Sequence, residues 1–301
     1  ISSMDQLEKA TVAQLKKLCF NCGISNAGRK TDIINSIRHE FQTPKTIKPT
    51  FSRIPNDGVN FNILSIDMGI RNFSLARFEL DKTLPFNKPP IVKDWIKFDI
   101  NAWAKLNNVD GFDPIVYAPV VDKLVNEVLL KEESSLPDVI LIERQRARTM
   151  GSRNVIEWVF RVNMLESMLH GIVYGKVKDG KGVTDIIGSV PQKMGNYWKL
   201  DDETSKKNDP KKVRIQLVEH WLRDSIMGSP ITKFKMDSNK FPITDEVVQK
   251  ISKTRSKSRW INQIVLGQSE FIENIYGDGD VDKSSAVQKG DDLVDSLLHG
   301  L

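Results

Sequence analysis

The most informative pattern of apolar and polar positions lies between Asn62 and Phe78. An apolar run ends at a carboxylate, Asp67, and a second apolar run begins after a short segment around Gly69. This pattern predicts a central strand, a tight turn and an antiparallel neighbouring strand. A carboxylate inside a buried strand destabilises the fold unless a partner such as a cation offsets its lost hydration. The simpler interpretation is that Asp67 is solvated at the end of a hairpin strand.

Further along the chain, strand-like and helix-like apolar patterns alternate. Strands are predicted at 91–99, 139–143 and 184–191, and helices at 113–133, 154–175 and 211–224. The run from Val139 is apolar without interruption, which is typical of a strand buried on both faces, and it ends in a second carboxylate, Glu143. Five strands interspersed with helices predict a mixed α/β domain that begins near residue 60.

A third acidic stretch runs from Gly290 to Leu298. On a helix, Asp292 and Asp295 have i, i+3 spacing and Asp291 and Asp295 have i, i+4 spacing, so either pair lies on one face. Compensation of the helix dipole explains Asp291 and Asp292 but not Asp295, which follows amid apolar residues. Neighbouring carboxylates repel one another unless they share a cation, and this favours a cation site.

The first 42 residues predict a separate small helical unit. Thr11 is a capping residue before an apolar helical pattern, and the stretch from Gly23 to Lys30 is typical of a turn before a second helix capped by Thr31. The pattern resembles a SAP motif, a small helical DNA-binding module, in which Arg29 and Lys30 would contact DNA. The alternative is a helical hairpin that docks on protein. Residues 43–59 contain three prolines and predict a linker.

The 301 residues contain only two cysteines, Cys19 and Cys22, so the sequence carries no disulfide framework. Their positions in a helical pattern predict packing within the small unit rather than half of a zinc site. The sequence begins at Ile1, so we expect the initiator methionine and any targeting peptide to be absent from it. No apolar run approaches the roughly 20 residues of a membrane-spanning helix, and we expect no membrane partner and no small-molecule cofactor.

Basic residues are unevenly distributed. The formal net charge is +5, and Lys and Arg outnumber Asp and Glu in residues 1–60 and again in residues 193–259. This distribution indicates a polyanionic partner. The predicted phosphate contacts outside the small unit are Arg71, Arg144, Arg146, Arg148, Arg153 and Lys193. For the arginines that follow Glu143, the alternative is a solvated loop.

The acidic positions together form a distributed set of carboxylates: Asp67, Glu143 and the aspartates of the last helix. Hard oxygen ligands of this kind select Mg²⁺, with Mn²⁺ as a substitute. Two such ions, about 4 Å apart, activate water and stabilise the leaving oxygen of a phosphodiester. The set therefore predicts a two-metal nuclease site.

Three motifs carry a resemblance to a known family: the hairpin from Ile66 to Ser74, the segment from Leu141 to Arg148 and the terminal stretch from Asp291 to Ser296. Residues 60–301 resemble the fungal mitochondrial Holliday-junction resolvases of the RNase H-like, RuvC-type superfamily. The resemblance implies an RNase H-like five-stranded sheet of order 3-2-1-4-5 flanked by helices. It further implies a homodimer, paired symmetric nicks across a four-way DNA junction and a location in the mitochondrial matrix.

The resemblance also implies roles for individual residues. Asp67, Glu143 and Asp295 match the family's metal ligands, and the fourth ligand is Asp291 or Asp292, of which the superfamily's spacing favours Asp292. Two other interpretations remain: an RNase H-like nuclease for a flap or an RNA–DNA hybrid, and a junction-binding architectural protein without catalysis. The filled carboxylate positions argue against the second.

The predicted helix over 154–175 bears on the dimer. Val159, Val162 and Leu165 belong to an apolar stripe that faces the sheet, whereas Phe160 and Met164 lie towards the other side together with Trp158. Side chains this large are unusual on a solvated face, and they predict a dimer interface. The alternative is a helix buried within one domain.

Overall fold

The computed structural model describes residues 2–22, 24, 26–42, 60–81, 88–106, 112–131, 136–145, 157–178, 185–198, 209–230, 232–241, 245, 248–249 and 290–301. The chain divides into two compact units. The first comprises 1–57 and 189–210, and the second comprises 58–188 and 211–301. The predicted linker 43–59 lies outside the described residues.

The helices are α1 Ser2–Lys9, α2 Val12–Asn21, α3 Lys30–Gln42, α4 Ile100–Trp103, α5 Pro114–Leu124, α6 Glu157–Lys178, α7 Pro191–Tyr197, α8 Pro210–Ile226 and α9 Asp291–Gly300. The strands are β1 Asn60–Asp67, β2 Phe73–Asp81, β3 Ile91–Phe98, β4 Val139–Glu143, β5 Asp185–Ser189 and β6 Lys235–Met236. In the described part of the chain, no helix is both long and apolar enough to cross a bilayer.

The strands form one mixed sheet of order β5-β4-β1-β2-β3-β6. A hairpin joins β1 to β2, so these two strands pair antiparallel, and β2 also pairs antiparallel with β3. On its other side, β1 pairs parallel with β4. The first five strands have the order 3-2-1-4-5 that the resemblance implied. The sequence did not predict β6, a two-residue strand that pairs parallel with β3 at the edge of the sheet.

Helices α5 and α6 pack together against the core of the sheet, where Leu64, Ile66 and Ile140 are fully buried. Helix α5 starts behind an Asp113 cap, contains Pro119, and continues into a π-helical turn over Val125–Leu129. Carbonyl oxygens at the end of this turn accept hydrogen bonds from Arg77, at 2.6 and 2.8 Å. Arg77 of β2 therefore supplies hydrogen bonds to carbonyl groups at the end of the helix, where helical hydrogen-bond partners run out.

The first unit has its own small core, in which Leu15, Cys19 and Ile33 are buried. The predicted Thr11 cap is confirmed, because its side chain and that of Gln14 form a capping box. The predicted Thr31 cap is wrong, because α3 begins at Lys30 and Thr31 lies inside the helix. The Arg29 backbone N–H, just before the helix, donates to the carboxylate of Asp32. Helix α7 packs on α2 in this unit. The assignment of residues 1–42 as a SAP-like motif stays a prediction.

Candidate active site

The sheet brings polar side chains into one row across neighbouring strands. Asp67, at the end of β1, pairs with Ser74 of β2, and Ser74 pairs with Lys97 of β3. On the other side of β1, the parallel pairing ends with Ile66 beside Ile142, one residue before Asp67 and Glu143. Because paired residues face the same side of a sheet, the row reads carboxylate, carboxylate, hydroxyl and ammonium.

Two contacts fix the chain on either side of the strand carboxylates. A side chain at Gly69 would place Cβ 3.0 Å from the carbonyl oxygen of Asn72, so the hairpin needs glycine there. After Glu143, the backbone N–H of Gln145 donates to Glu166 of α6 at 2.9 Å. The ends of β1 and β4 are thus held by the turn and by α6.

Helix α9 lies over this row. Ser74 Oγ donates to the carbonyl oxygen of Asp292 at 2.7 Å, and the Trp95 indole N–H donates to that of Leu293 at 2.8 Å. Four apolar side chains of the helix are buried: Leu293, Val294, Leu297 and Leu298. Burial of this apolar face fixes α9 on the sheet, and its three aspartates are half-buried beside that face.

The electrostatics show that the carboxylates are neighbours. The pKa of Asp67 is raised well above the ordinary value, first by burial, then by its hydrogen bond with Glu143 and the charges of Glu143, Asp295 and Asp292. Burial likewise raises the pKa of Asp295 to about 7, against the opposing effect of Arg214. The fold therefore gathers carboxylates from β1, β4 and α9, which are far apart in sequence.

Each aspartate of α9 has a basic partner. Lys211 Nζ lies 2.6 Å from Asp291 and Lys97 Nζ lies 2.8 Å from Asp292. Arg214 Nη1 lies 2.9 Å from Asp295 Oδ1, but this contact lacks hydrogen-bond geometry.

These pairs affect the two adjacent aspartates differently. Burial raises the pKa of Asp291, but the Lys211 ammonium outweighs burial and leaves that pKa lowered overall. Burial raises the pKa of Asp292 in spite of Lys97. The charge of Asp292 is among those that raise the pKa of Asp67, and the charges of Asp291 and Asp292 both raise the pKa of Asp295. The cluster with the strand carboxylates therefore includes Asp292 and Asp295.

The donor set fits a divalent cation in its chemistry. It is made of carboxylates, of which Asp67 is buried and the others are half-buried, and Asp295 Oδ1 is a buried oxygen with no hydrogen-bond partner among the described residues. As the side chains stand in the described ranges, no three His, Cys, Asp or Glu residues converge closely enough to hold a metal ion. In α9, Lys97 and Arg214 form ion pairs with two of these carboxylates, Asp292 and Asp295.

Comparison with known proteins assigns the chain to a family. A family model described as "Mitochondrial resolvase Ydc2 / RNA splicing MRS1" matches residues 63–301. The chain belongs to this family.

Two curated relatives resemble the chain over much of its length. The cruciform cutting endonuclease 1, mitochondrial, of Saccharomyces cerevisiae is 29% identical over 318 residues, which cover 100% of this chain and 82% of the relative. The protein of the same name from Schizosaccharomyces pombe is 29% identical over 217 residues, covering 69% and 74%. The crystal structure of the yeast mitochondrial Holliday junction resolvase Ydc2 superposes with a TM-score of 0.51 at 21% identity, covering 96% of this chain and 91% of that one. This last likeness concerns the fold.

The basic residues predicted to contact DNA have varied surroundings in this member of the Ydc2 family. Arg146, Arg148 and Arg153 lie outside the described residues, and so does the side chain of Lys193 in α7. Arg71 is exposed in the hairpin turn, and Arg144 is exposed and lies along Gly188 of β5.

In the first unit, the two predicted DNA contacts differ. Arg29 is exposed, whereas Lys30 Nζ donates to the carbonyl oxygen of Glu8 at 2.8 Å and so links α3 to α1. The Lys30 ammonium thus already makes a structural hydrogen bond within the first unit. Both DNA contacts stay predictions.

Sequence reasoning missed three basic residues of the site: Lys97, Lys211 and Arg214. Lys211 and Arg214 have i, i+3 spacing on α8, so a basic helix face was visible in the sequence. Lys97 gave one weaker signal, a lysine inside an alternating strand, where a buried lysine demands an acidic partner.

The outer face of α6 carries large apolar side chains. Trp158 is 53% exposed, Phe160 59% and Tyr174 66%, whereas Val159, Val162 and Leu165 are buried. Met164 is half-buried. The division of the helix into a buried and an outward apolar face agrees with the sequence pattern, and the dimer that it predicts stays a prediction.

Proposed function

We propose that this chain is a structure-specific endonuclease that resolves four-way (Holliday) DNA junctions in mitochondria by metal-dependent phosphodiester hydrolysis. The observation that carries the proposal is the cluster of the buried Asp67 with the half-buried Glu143, Asp292 and Asp295 in a member of the resolvase family. Both curated relatives carry the name of a mitochondrial cruciform-cutting endonuclease, and we extend substrate and location from them to this chain.

In this mechanism, Asp67, Glu143, Asp292 and Asp295 would hold Mg²⁺ or Mn²⁺, two ions per site. The ions would activate the attacking water and stabilise the leaving oxygen of the phosphodiester. The chain's own contribution is to hold four carboxylates on rigid elements. Strands β1 and β4 position two of them, and α9, hydrogen-bonded to Ser74 and Trp95, positions the others.

The fourth ligand that we propose is Asp292 rather than Asp291. Asp291 is engaged by the exposed Lys211, whereas the charge of Asp292 is among those that raise the pKa of Asp67. Asp292 and Asp295, which have i, i+3 spacing, are also the two aspartates of α9 whose charges are among the main causes of the raised pKa of Asp67.

A second candidate function needs a test, because the family description also names RNA splicing. A protein that only binds nucleic acid needs a basic surface but gains nothing from buried, mutually repelling carboxylates. The cluster therefore favours an enzyme over an architectural or splicing role.

A nicking assay decides among these functions. Equal concentrations of a synthetic four-way junction, a linear duplex, a flap and an RNA–DNA hybrid are incubated with the full chain, with Mg²⁺ or with EDTA. We expect paired nicks on the junction with Mg²⁺ alone. Preferential cutting of the flap or the hybrid would assign another nuclease function, and binding of the junction without cutting would assign the architectural one.

We also propose a homodimer, because resolution needs two nicks related by symmetry and a two-fold interface relates two sites in that way. The outward apolar face of α6 supports this interface. Sedimentation without DNA at micromolar concentration should give a dimer, and Phe160→Asp or Met164→Asp should give monomers that nick poorly. Ile115→Asp is the matched control, since Ile115 is 83% exposed on another helix; a monomeric wild type would refute a preformed dimer.

The first unit is proposed to bind DNA through its SAP-like helices. Its separate core supports this division. Deletion of the first 45 residues should leave nicking intact and reduce affinity for the junction. A truncated protein that fails to fold would show that the segment belongs to the core of the nuclease.

A further inference from the structure

Lys97 differs from the other basic residues of the site in its burial. Its side chain on β3 is 3% exposed, and its Nζ lies 2.8 Å from Asp292 Oδ2. The side chain of Lys211, by comparison, is 61% exposed. A lysine this buried loses its hydration, and only a specific polar partner offsets that loss. Asp292 is such a partner.

Asp292 is held at two places by adjacent strands. Ser74 Oγ binds its backbone carbonyl oxygen at 2.7 Å, and the Lys97 ammonium binds one of its carboxylate oxygens. Ser74 and Lys97 are direct neighbours across β2 and β3. Because both anchors lie on the sheet that also bears Asp67, they set the position of the Asp292 carboxylate relative to the strand carboxylates.

We propose that Lys97 is a positioning residue that holds one oxygen of Asp292 and leaves the other as a ligand for the divalent cation. The inference rests on the proposed function. Partners that bind a ligating carboxylate orient it, and their loss typically costs about 10–100-fold in metal affinity or activity. Lys97 would act in this way from a strand that contributes no carboxylate of its own to the cluster.

Metal binding without DNA provides the test. The full chain is melted over a range of Mn²⁺ concentrations, and the concentration that gives half of the maximal rise in Tm is compared between variants. We expect Lys97→Met to raise this concentration about tenfold or more. Lys97→Arg, which keeps the charge, should return it towards the wild-type value.

Lys93→Met is the matched control. Lys93 lies on the same strand and pairs with another aspartate, Asp237, at 2.8 Å, at the edge where β6 joins the sheet. We expect this variant to keep the wild-type Mn²⁺ midpoint. In an Asp292→Asn background, Lys97→Met should produce no further change of the midpoint, because Lys97 acts through Asp292.

The outcomes of this experiment separate the proposed metal site from the proposed positioning role of Lys97. A wild type whose Tm does not respond to Mn²⁺ would overturn the metal site itself. A responsive wild type with an unchanged midpoint in Lys97→Met would assign Lys97 to folding alone, and a lower midpoint would make it a competitor of the metal. If Lys97→Met does not fold, Lys97→Gln is measured instead, with the same expected shift and the same overturning results.

Discussion

The strand half and the helix half of the carboxylate cluster are balanced in different ways. The side chains of Asp67 and Glu143 are hydrogen-bonded to each other, and no ion pair within the described residues involves either of them. The aspartates of α9 each face a basic side chain: Lys211, Lys97 and Arg214. The site therefore carries uncompensated charge on the sheet and internal counter-ions on the helix.

This difference separates two tasks. Uncompensated carboxylates destabilise the fold but attract a cation strongly, so in the proposed metal site β1 and β4 would supply the charge that binds the cation. Paired carboxylates are tolerated in a helix packed on the core, so in the proposed site α9 would supply ligands whose positions are set in advance. The sequence shows the acidic residues of both halves but not this difference between them.

The largest expected effect follows from removing a strand carboxylate. Asp67→Asn should lower the rate of junction cleavage roughly a thousandfold, since metal ions contribute several kcal/mol to such reactions. Affinity for the junction should stay at the wild-type value, because the basic surface supplies it. Cleavage and gel-shift assays measure the two separately, and cleavage within a few-fold of wild type would remove Asp67 from the site.

A smaller effect is expected between the adjacent aspartates of the helix. Asp292→Asn should lower cleavage about 100-fold, as expected for a positioned metal ligand. Asp291→Asn should change it only a few-fold, since that residue pairs with an exposed lysine. Single-turnover cleavage rates compare the two variants, and the reverse order would make Asp291 the fourth ligand.

The third prediction contrasts the arginines that follow Glu143 with Arg214, which pairs with an aspartate of the cluster. Neutralising Arg146 and Arg148 together should weaken junction binding and flatten its salt dependence by about one unit of log–log slope for each lost phosphate contact. Arg214→Gln should flatten it less, because Arg214 faces Asp295. Binding measured from low to physiological salt tests this, and an unchanged slope in the arginine pair would mean that those side chains do not contact phosphate.

The smallest expected effect concerns stability without metal. The pKa of Asp67 is raised in the folded protein, so its protonated form favours folding and this stability is lost as pH rises from about 4, the ordinary Asp value, through the raised pKa. An asparagine side chain cannot ionise, so Asp67→Asn should melt a few degrees higher than wild type in EDTA, by an amount that grows with pH.

Thermal melts between pH 5 and pH 8 measure this difference. Mn²⁺ should reduce it, since the cation stabilises the wild type and not the variant. A variant that melts below the wild type at pH 8 would show that Asp67 is already compensated in the folded protein.

The sequence by itself determined the local elements of the site. An apolar run that ends at Asp67, another that ends at Glu143 and the amphipathic helix with Asp295 each follow from the periodicity of a short segment. The order of the first five strands was implied by the family resemblance. Local patterns therefore sufficed to predict the strand carboxylates, the helix and the nuclease chemistry.

Only the tertiary structure decided which charges meet. Lys97 and Asp292 are 195 residues apart, and no local pattern links them. The same contacts support our proposal of Asp292 over Asp291 as the fourth ligand, a choice that the sequence left open. Strand β6 is a further example, because two residues form a strand only where β3 offers them an edge. Ion pairs and edge pairing depend on distances that folding creates, so they are absent from the periodicity that made the rest predictable.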